Sequence, residues 1–209
     1  TSEAVSLTKS AQNAGADGAL VITPYYNKPP QDGLYSHFAA IAEECDIPIV
    51  LYNVPGRTGI DLLPGTIGRL ATIENVVAVK EASGSIDRTV EILAECDITV
   101  LSGDDSLTLS LMAVGARGVI SVAANVAPSQ MAELVQLAAS GDFASAGHLH
   151  HQLYPLMKGL FVETSPIPVK ACLEIQGLIE GELRLPLVGA KDETRQLLRG
   201  VLAGLEIKV

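Results

Sequence analysis

Val76-Val-Ala-Val-Lys-Glu81 is the stretch on which the fold turns: an unbroken apolar run leads straight into a lysine, with no polar residue alternating in between. A strand apolar on both sides is buried on both sides, and parallel sheets bury both faces. Other runs share the pattern: Ala19-Leu-Val-Ile-Thr23, Ile47-Pro-Ile-Val-Leu-Tyr52, Ile98-Thr-Val-Leu-Ser102 and Gly118-Val-Ile-Ser-Val122. Between them the spacing changes to that of helices. Ala4, Leu7, Ala11 and Ala14 share one helical face, with Gly15 as the stop. Leu34, Phe38, Ile41, Ala42 and Cys45 form a second stripe, and Ile86, Val90, Leu93 and Ala94 a third. Leu107, Leu111 and Val114 continue the pattern up to Gly115. Strands alternating with amphipathic helices predict βαβ units and a parallel sheet.

After Val122 the chain reads as helical. Pro128 suits a first helical turn, and Met131, Leu134, Val135 and Ala138 share a face that ends at Gly141. Residues 143–162, 166–178 and 190–204 read as further helices. Two parallel architectures compete. A doubly wound sheet calls for a glycine-rich phosphate turn after a strand, and Gly-x-Gly-x-x-Gly is absent from the sequence. A (β/α)8 barrel typically takes about 250 residues. The expected fold is therefore α/β: a TIM barrel represented by its last five strand–helix units, with a C-terminal helical extension. Residues 1–142 are the partial barrel and residues 143–209 the helical region.

Composition narrows the function. Of 209 residues, 48% are hydrophobic and 18% charged, which supports a sizeable core and argues against disorder. The net charge of −10 speaks against nucleic acid and anionic membrane surfaces as partners, while leaving small anionic substrates open. No apolar run reaches the ~20 residues of a membrane helix. Cys45, Cys96 and Cys172 are too widely spaced for a disulfide framework or a metal pair, as expected in a reducing cytoplasm. The chain opens at Thr1, within a helical pattern, and is read as lacking its natural beginning.

In a barrel the chemistry sits at the C-terminal ends of the strands. Those ends here are Thr23-Pro-Tyr-Tyr-Asn27, Tyr52-Asn-Val-Pro-Gly-Arg57, Lys80-Glu81, Ser102-Gly-Asp-Asp105, and Ser121 with Asn125. Partial burial would lower the pKa of Lys80, and a neutral amine can attack a ketone to form a Schiff base. A lysine that merely faces solvent at a strand end is the plainer alternative. Tyr52 can carry protons or simply pack. Arg57 suits bidentate binding of a carboxylate or a surface ion pair. Asp104 and Asp105 could bind a metal, although a helix cap is favoured. His148, His150 and His151 lack the carboxylate or cysteine partners of a metal site, so no metal ligand is assigned.

Together, Thr23-Pro-Tyr-Tyr-Asn27, Leu51-Tyr-Asn-Val-Pro-Gly-Arg-Thr-Gly59, Val79-Lys-Glu-Ala-Ser-Gly84, Ser102-Gly-Asp-Asp105, Gly118-Val-Ile-Ser-Val122 and Ser165-Pro-Ile-Pro-Val-Lys170 resemble the dihydrodipicolinate synthase family, within the pyruvate-dependent class I aldolases. The resemblance covers essentially the whole chain. It implies that Lys80 forms a Schiff base with pyruvate and that the enamine attacks L-aspartate 4-semialdehyde, on the diaminopimelate route to lysine. It further implies Tyr52 as proton donor and acceptor, Tyr26 as a proton relay delivered across a dimer, Arg57 as the semialdehyde's carboxylate clamp, and the Ile120 carbonyl against pyruvate. Tyr25 and Glu3 match contacts for inhibitory lysine. No cofactor is implied, and the intact protein is expected to be a homo-oligomer, a dimer of dimers. The family's Gly-Thr-Thr-Gly-Glu segment, whose threonines complete the relay, has no match here. This chain alone is therefore expected to fold poorly or associate, with little activity. Two other readings remain: a sister pyruvate aldolase (N-acetylneuraminate lyase or a sugar-acid aldolase), and a non-catalytic truncated paralogue.

Overall fold

The computed structural model describes residues 1–207. Its contacts divide the chain into two compact units, Thr1–Ile120 and the remainder from Ser121. The first unit alternates helix and strand: α1 (Ser2–Asn13), β1 (Ala19–Ile22), α2 (Gln31–Glu44), β2 (Ile49–Asn53), the short α3 (Pro55–Thr58), α4 (Pro64–Leu70), β3 (Val76–Glu81), α5 (Ile86–Glu95), β4 (Thr99–Ser102), α6 (Thr108–Ala113) and β5 (Gly118–Val119). The strands form one sheet in the order β1-β2-β3-β4-β5, every pair parallel. Each apolar run of the sequence supplies one of these strands. The fifth is shorter than its run, because the chain turns into a 3-10 helix at Ala123–Asn125.

The core explains why these segments take these forms. Leu34, Phe38 and Ile41 of α2 are completely buried, as are Ile49 and Leu51 of β2, Val79 of β3 and Val100 of β4. Burying a side chain of that size contributes about 1.5–3 kcal/mol each. Two of the expected helix stripes lie elsewhere. In α1 the buried residue is Thr8, whose hydroxyl donates to the Ala4 carbonyl, and Leu7 is 64% exposed. In α5 the inward positions are Thr89 and Ile92, while Ile86 and Val90 face outward. An apolar stripe marks a face that can be covered. When a helix offers apolar residues on more than one face, periodicity does not say which one the sheet takes.

The second unit is helical. It comprises α7 (Pro128–Ala139), α8 (Phe143–Gly159), α9 (Ile167–Ile175) and α10 (Asp192–Gly204). α7 packs on α8, and α10 packs on both α8 and α9. Met131, Leu134 and Ala138 of α7 are buried, as the 3.6-residue spacing requires.

Candidate active site

Register brings the site together. Tyr52 pairs with Lys80 across β2 and β3, and Asn53 pairs with Glu81 one step further on. Neighbouring parallel strands lie about 4.8 Å apart, so in-register side chains on one face must touch. The Lys80 Nζ sits over the Tyr52 ring, 4.3 Å from its centroid. That placement favours a cation electrostatically, since the ring face is negative. Lys80 is nevertheless only 9% exposed, and burial pushes its pKa down, with the Asp105 carboxylate pulling the other way. The Tyr52 phenol is half-buried and pushed up for the same reason, partly offset by the Arg57 guanidinium. Burial thus moves the two groups in opposite directions and disfavours the charged form of each.

The path of the lysine depends on Gly103. A Cβ at this position would lie 2.6 Å from the Ala82 Cβ and 3.1 Å from the Lys80 Cε. The close approach lets the Gly103 N–H donate to the Glu81 carbonyl at 2.7 Å. Asp104 caps the 3-10 helix at Asp105–Leu107, its Oδ1 accepting the Ser106 N–H at 3.0 Å. Asp105 is buried and acts on Lys80 through its charge, a role the sequence alone left open between capping and metal binding.

Arg57 is exposed on α3 in the loop after β2, close enough to influence Tyr52. Gly59 closes that short helix in the left-handed region (φ +72°), its N–H donating to the Pro55 carbonyl at 2.9 Å. Ile120 follows β5 and donates its N–H to the Ser102 carbonyl at 2.9 Å. Lys80 and Tyr52 therefore make one cluster with the charges of Arg57 and Asp105 around it. Tyr26 stands apart: the residue is 92% exposed and its backbone φ is +73°. Tyr25 is also exposed, and it lines a groove of about 380 Å³ together with Glu3 between α1 and the edge strand β1.

Sequence reasoning missed the polar residues beneath the α3 loop. Asn53 donates to both Asp61 and Glu81, and Arg88 donates to Asp61, so the four form one hydrogen-bonded chain. The available signal was Asn53 itself, a polar side chain ending an otherwise apolar, buried strand. Such a group must find partners inside the protein.

Known proteins match the chain along most of its length. The profile of the dihydrodipicolinate synthetase family matches residues 1–204. A 4-hydroxy-tetrahydrodipicolinate synthase from Syntrophobacter fumaroxidans is 54% identical over 202 residues, which are 95% of this chain and 69% of that protein. One from Methanothrix thermoacetophila is 52% identical over 205 residues, 97% of this chain and 70% of that protein. The crystal structure of dihydrodipicolinate synthase from Aquifex aeolicus superposes with a TM-score of 0.98 at 49% identity, covering 100% of this chain and 72% of its own. With the family profile matched almost end to end, and relatives this similar covered over more than two thirds of their length, the chain belongs to the dihydrodipicolinate synthetase family.

Proposed function

We propose that the protein is a 4-hydroxy-tetrahydrodipicolinate synthase, a class I aldolase-type lyase that condenses pyruvate with L-aspartate 4-semialdehyde. The observation that carries this reading is the buried Lys80 amine held over the Tyr52 ring at a strand end, with Arg57 on the adjoining loop. The Lys80 amine attacks C2 of pyruvate, and loss of water leaves an iminium. The iminium is the electron sink, so no separate cofactor is called for in this step. Removal of a C3 proton gives the enamine, whose C3 adds to the aldehyde carbon of the second substrate. Tyr52 carries the protons in and out. Its raised pKa keeps it protonated near neutral pH, ready to donate. Arg57 holds the semialdehyde carboxylate, and Ile120 offers its carbonyl to pyruvate.

The strands fit the last five of an eight-strand barrel. In chain order α7 completes the fifth strand–helix unit at about residue 142, and residues 143–209 form the helical extension. The intact enzyme is a cytoplasmic homo-oligomer, a dimer of dimers, with Tyr26 supplied to the neighbour's site and Tyr25 and Glu3 available to a lysine inhibitor. The outward Tyr26 ring supports that assignment. Among the described residues, no helix is long and apolar enough to cross a membrane.

The test is chemical. The protein is incubated with pyruvate, reduced with borohydride and mapped by peptide mass. A pyruvyl adduct on Lys80 supports the reading; a folded sample with no adduct, or with one elsewhere, refutes it. Offering aspartate semialdehyde and sugar-derived aldehydes to the loaded protein then separates the synthase from sister aldolases.

A further inference from the structure

Asn53 is completely buried one residue beyond Tyr52. Its side-chain oxygen accepts the Leu62 N–H at 2.9 Å. Its amide donates to Asp61 Oδ1 at 2.8 Å and to Glu81 Oε2 at 3.0 Å. Both donors of the amide and its oxygen are thus engaged, mostly with the far end of the loop that Asn53 itself begins. Asp61 Oδ1 also accepts from Arg88 Nη1 at 2.8 Å, at the start of α5. Glu81 is pinned in turn by the Ser83 N–H, 2.6 Å from its Oε1. The loop between these ties carries Arg57.

We propose that Asn53, Asp61 and Arg88 are positioning residues that fix the Arg57 loop for the carboxylate of the second substrate. The inference rests on the reading of Arg57 as that clamp. An untied loop explores many conformations, and ordering it on binding costs conformational entropy. The four-residue α3 is too short to hold itself together, because a single helical turn does not repay its nucleation. Without the tie, that cost would fall on substrate binding. It would fall on the second substrate alone, since pyruvate is bound by Lys80, which is anchored in the sheet. The network therefore sets affinity for the semialdehyde and leaves Schiff-base formation untouched.

The experiment uses protein already trapped with pyruvate and borohydride, in which the Lys80 amine is blocked. Succinate semialdehyde, which has the aldehyde and carboxylate but no amine, is titrated in by calorimetry. Arg57→Ala and Asp61→Ala should each weaken binding by roughly tenfold or more, the worth of a hydrogen bond to a charged group. The double variant should be no weaker than either single one, because Asp61 acts through Arg57. Asp61→Asn keeps an oxygen for Asn53 and Arg88 and should restore most of the affinity. Arg88→Met should give a smaller loss, and it serves where Asp61→Ala does not fold. Adduct yield in the Asp61 and Arg88 variants should equal that of the unsubstituted protein. Additive losses in the double variant, an unchanged affinity in Asp61→Ala, or a parallel fall in adduct yield would each overturn the inference. If the unsubstituted protein forms no adduct, the reading of Lys80 fails and the inference falls with it. If Arg57→Ala has no effect, the clamp itself is wrong. If adduct and clamp both hold but Asp61 is silent, only the network is refuted.

Discussion

The loops that follow β1 and β2 are neighbours, joined where the Tyr26 N–H reaches the Thr58 carbonyl at 3.4 Å. They are built on different principles. The loop after β2 is tied to its own stem by Asn53, to α2 through Gln31, which donates to the Asp61 carbonyl at 2.8 Å, and to α5 through Arg88. The loop after β1 leaves Tyr25 and Tyr26 exposed, and both Tyr26 and Lys28 adopt positive φ. The first loop spends its polar groups on fixing side chains beside its own sheet. The second holds an aromatic ring out into solvent at a backbone geometry that a bulky residue rarely adopts. The contrast suggests that one loop serves the site of this chain and the other serves something outside it.

The largest expected effect tests the first half of that contrast. Tyr52→Phe keeps the ring over Lys80 and removes only the hydroxyl. Adduct formation with pyruvate should persist. Exchange of the pyruvate methyl protons with deuterated water, read by NMR, should slow by about 10²-fold or more, the usual worth of a positioned proton carrier. The slowing should not depend on protein concentration, because Tyr52 belongs to the same chain as the lysine it serves. An exchange rate equal to that of the unsubstituted protein would remove Tyr52 from the mechanism.

The sequence was legible where burial leaves a periodic trace. The run into Lys80 announced a strand buried on both faces, as it is at every position but Val77, while its register with Tyr52 came only with the structure. Gly15, Gly115 and Gly141, each with positive φ, end helices where the pattern stops. What stayed hidden depends on contacts distant in sequence. Nothing near Asn53 in the chain announces Glu81 or Arg88, and Asp105 reads as a capping residue until its charge is seen to bear on Lys80. The outward turn of Ile86 and Val90 was equally hidden, since a stripe does not name its partner.

Asn53→Ala breaks the contrast from the structural side. It strands the buried Leu62 N–H and takes the Asn53 donor from Glu81 Oε2, and an unsatisfied buried group costs about 1–3 kcal/mol. The urea midpoint should fall accordingly, with an unchanged slope. A midpoint that does not move would mean that the loop is held by Gln31 and Thr58 and that the Asn53 tie is incidental.

A pH profile sharpens the contrast by testing the lysine beneath the tied loop. Trapping requires the neutral amine, so its rate should rise with pH through the Lys80 pKa, which burial places below the ordinary lysine value. The Asp105 carboxylate opposes that shift by favouring the ammonium. Asp105→Asn should therefore move the rise to lower pH. A move to higher pH would mean that Asp105 acts mainly by placing the amine rather than through its charge.

The smallest expected effect bears on the second loop. Tyr26 pays for its left-handed backbone without packing its ring against this chain, since the residue is 92% exposed. Non-glycine residues carry a penalty of roughly 1–2 kcal/mol in that region, and glycine does not. Tyr26→Gly relieves the penalty and gives back part of the gain as unfolded-chain entropy. Unfolding of the dilute protein should thus shift by less than about 1 kcal/mol, towards greater stability or not at all. A clear loss of stability would mean that the tyrosine supports its own fold. An unchanged or raised midpoint leaves its exposed ring unexplained by folding, as expected of a side chain kept for a neighbouring copy.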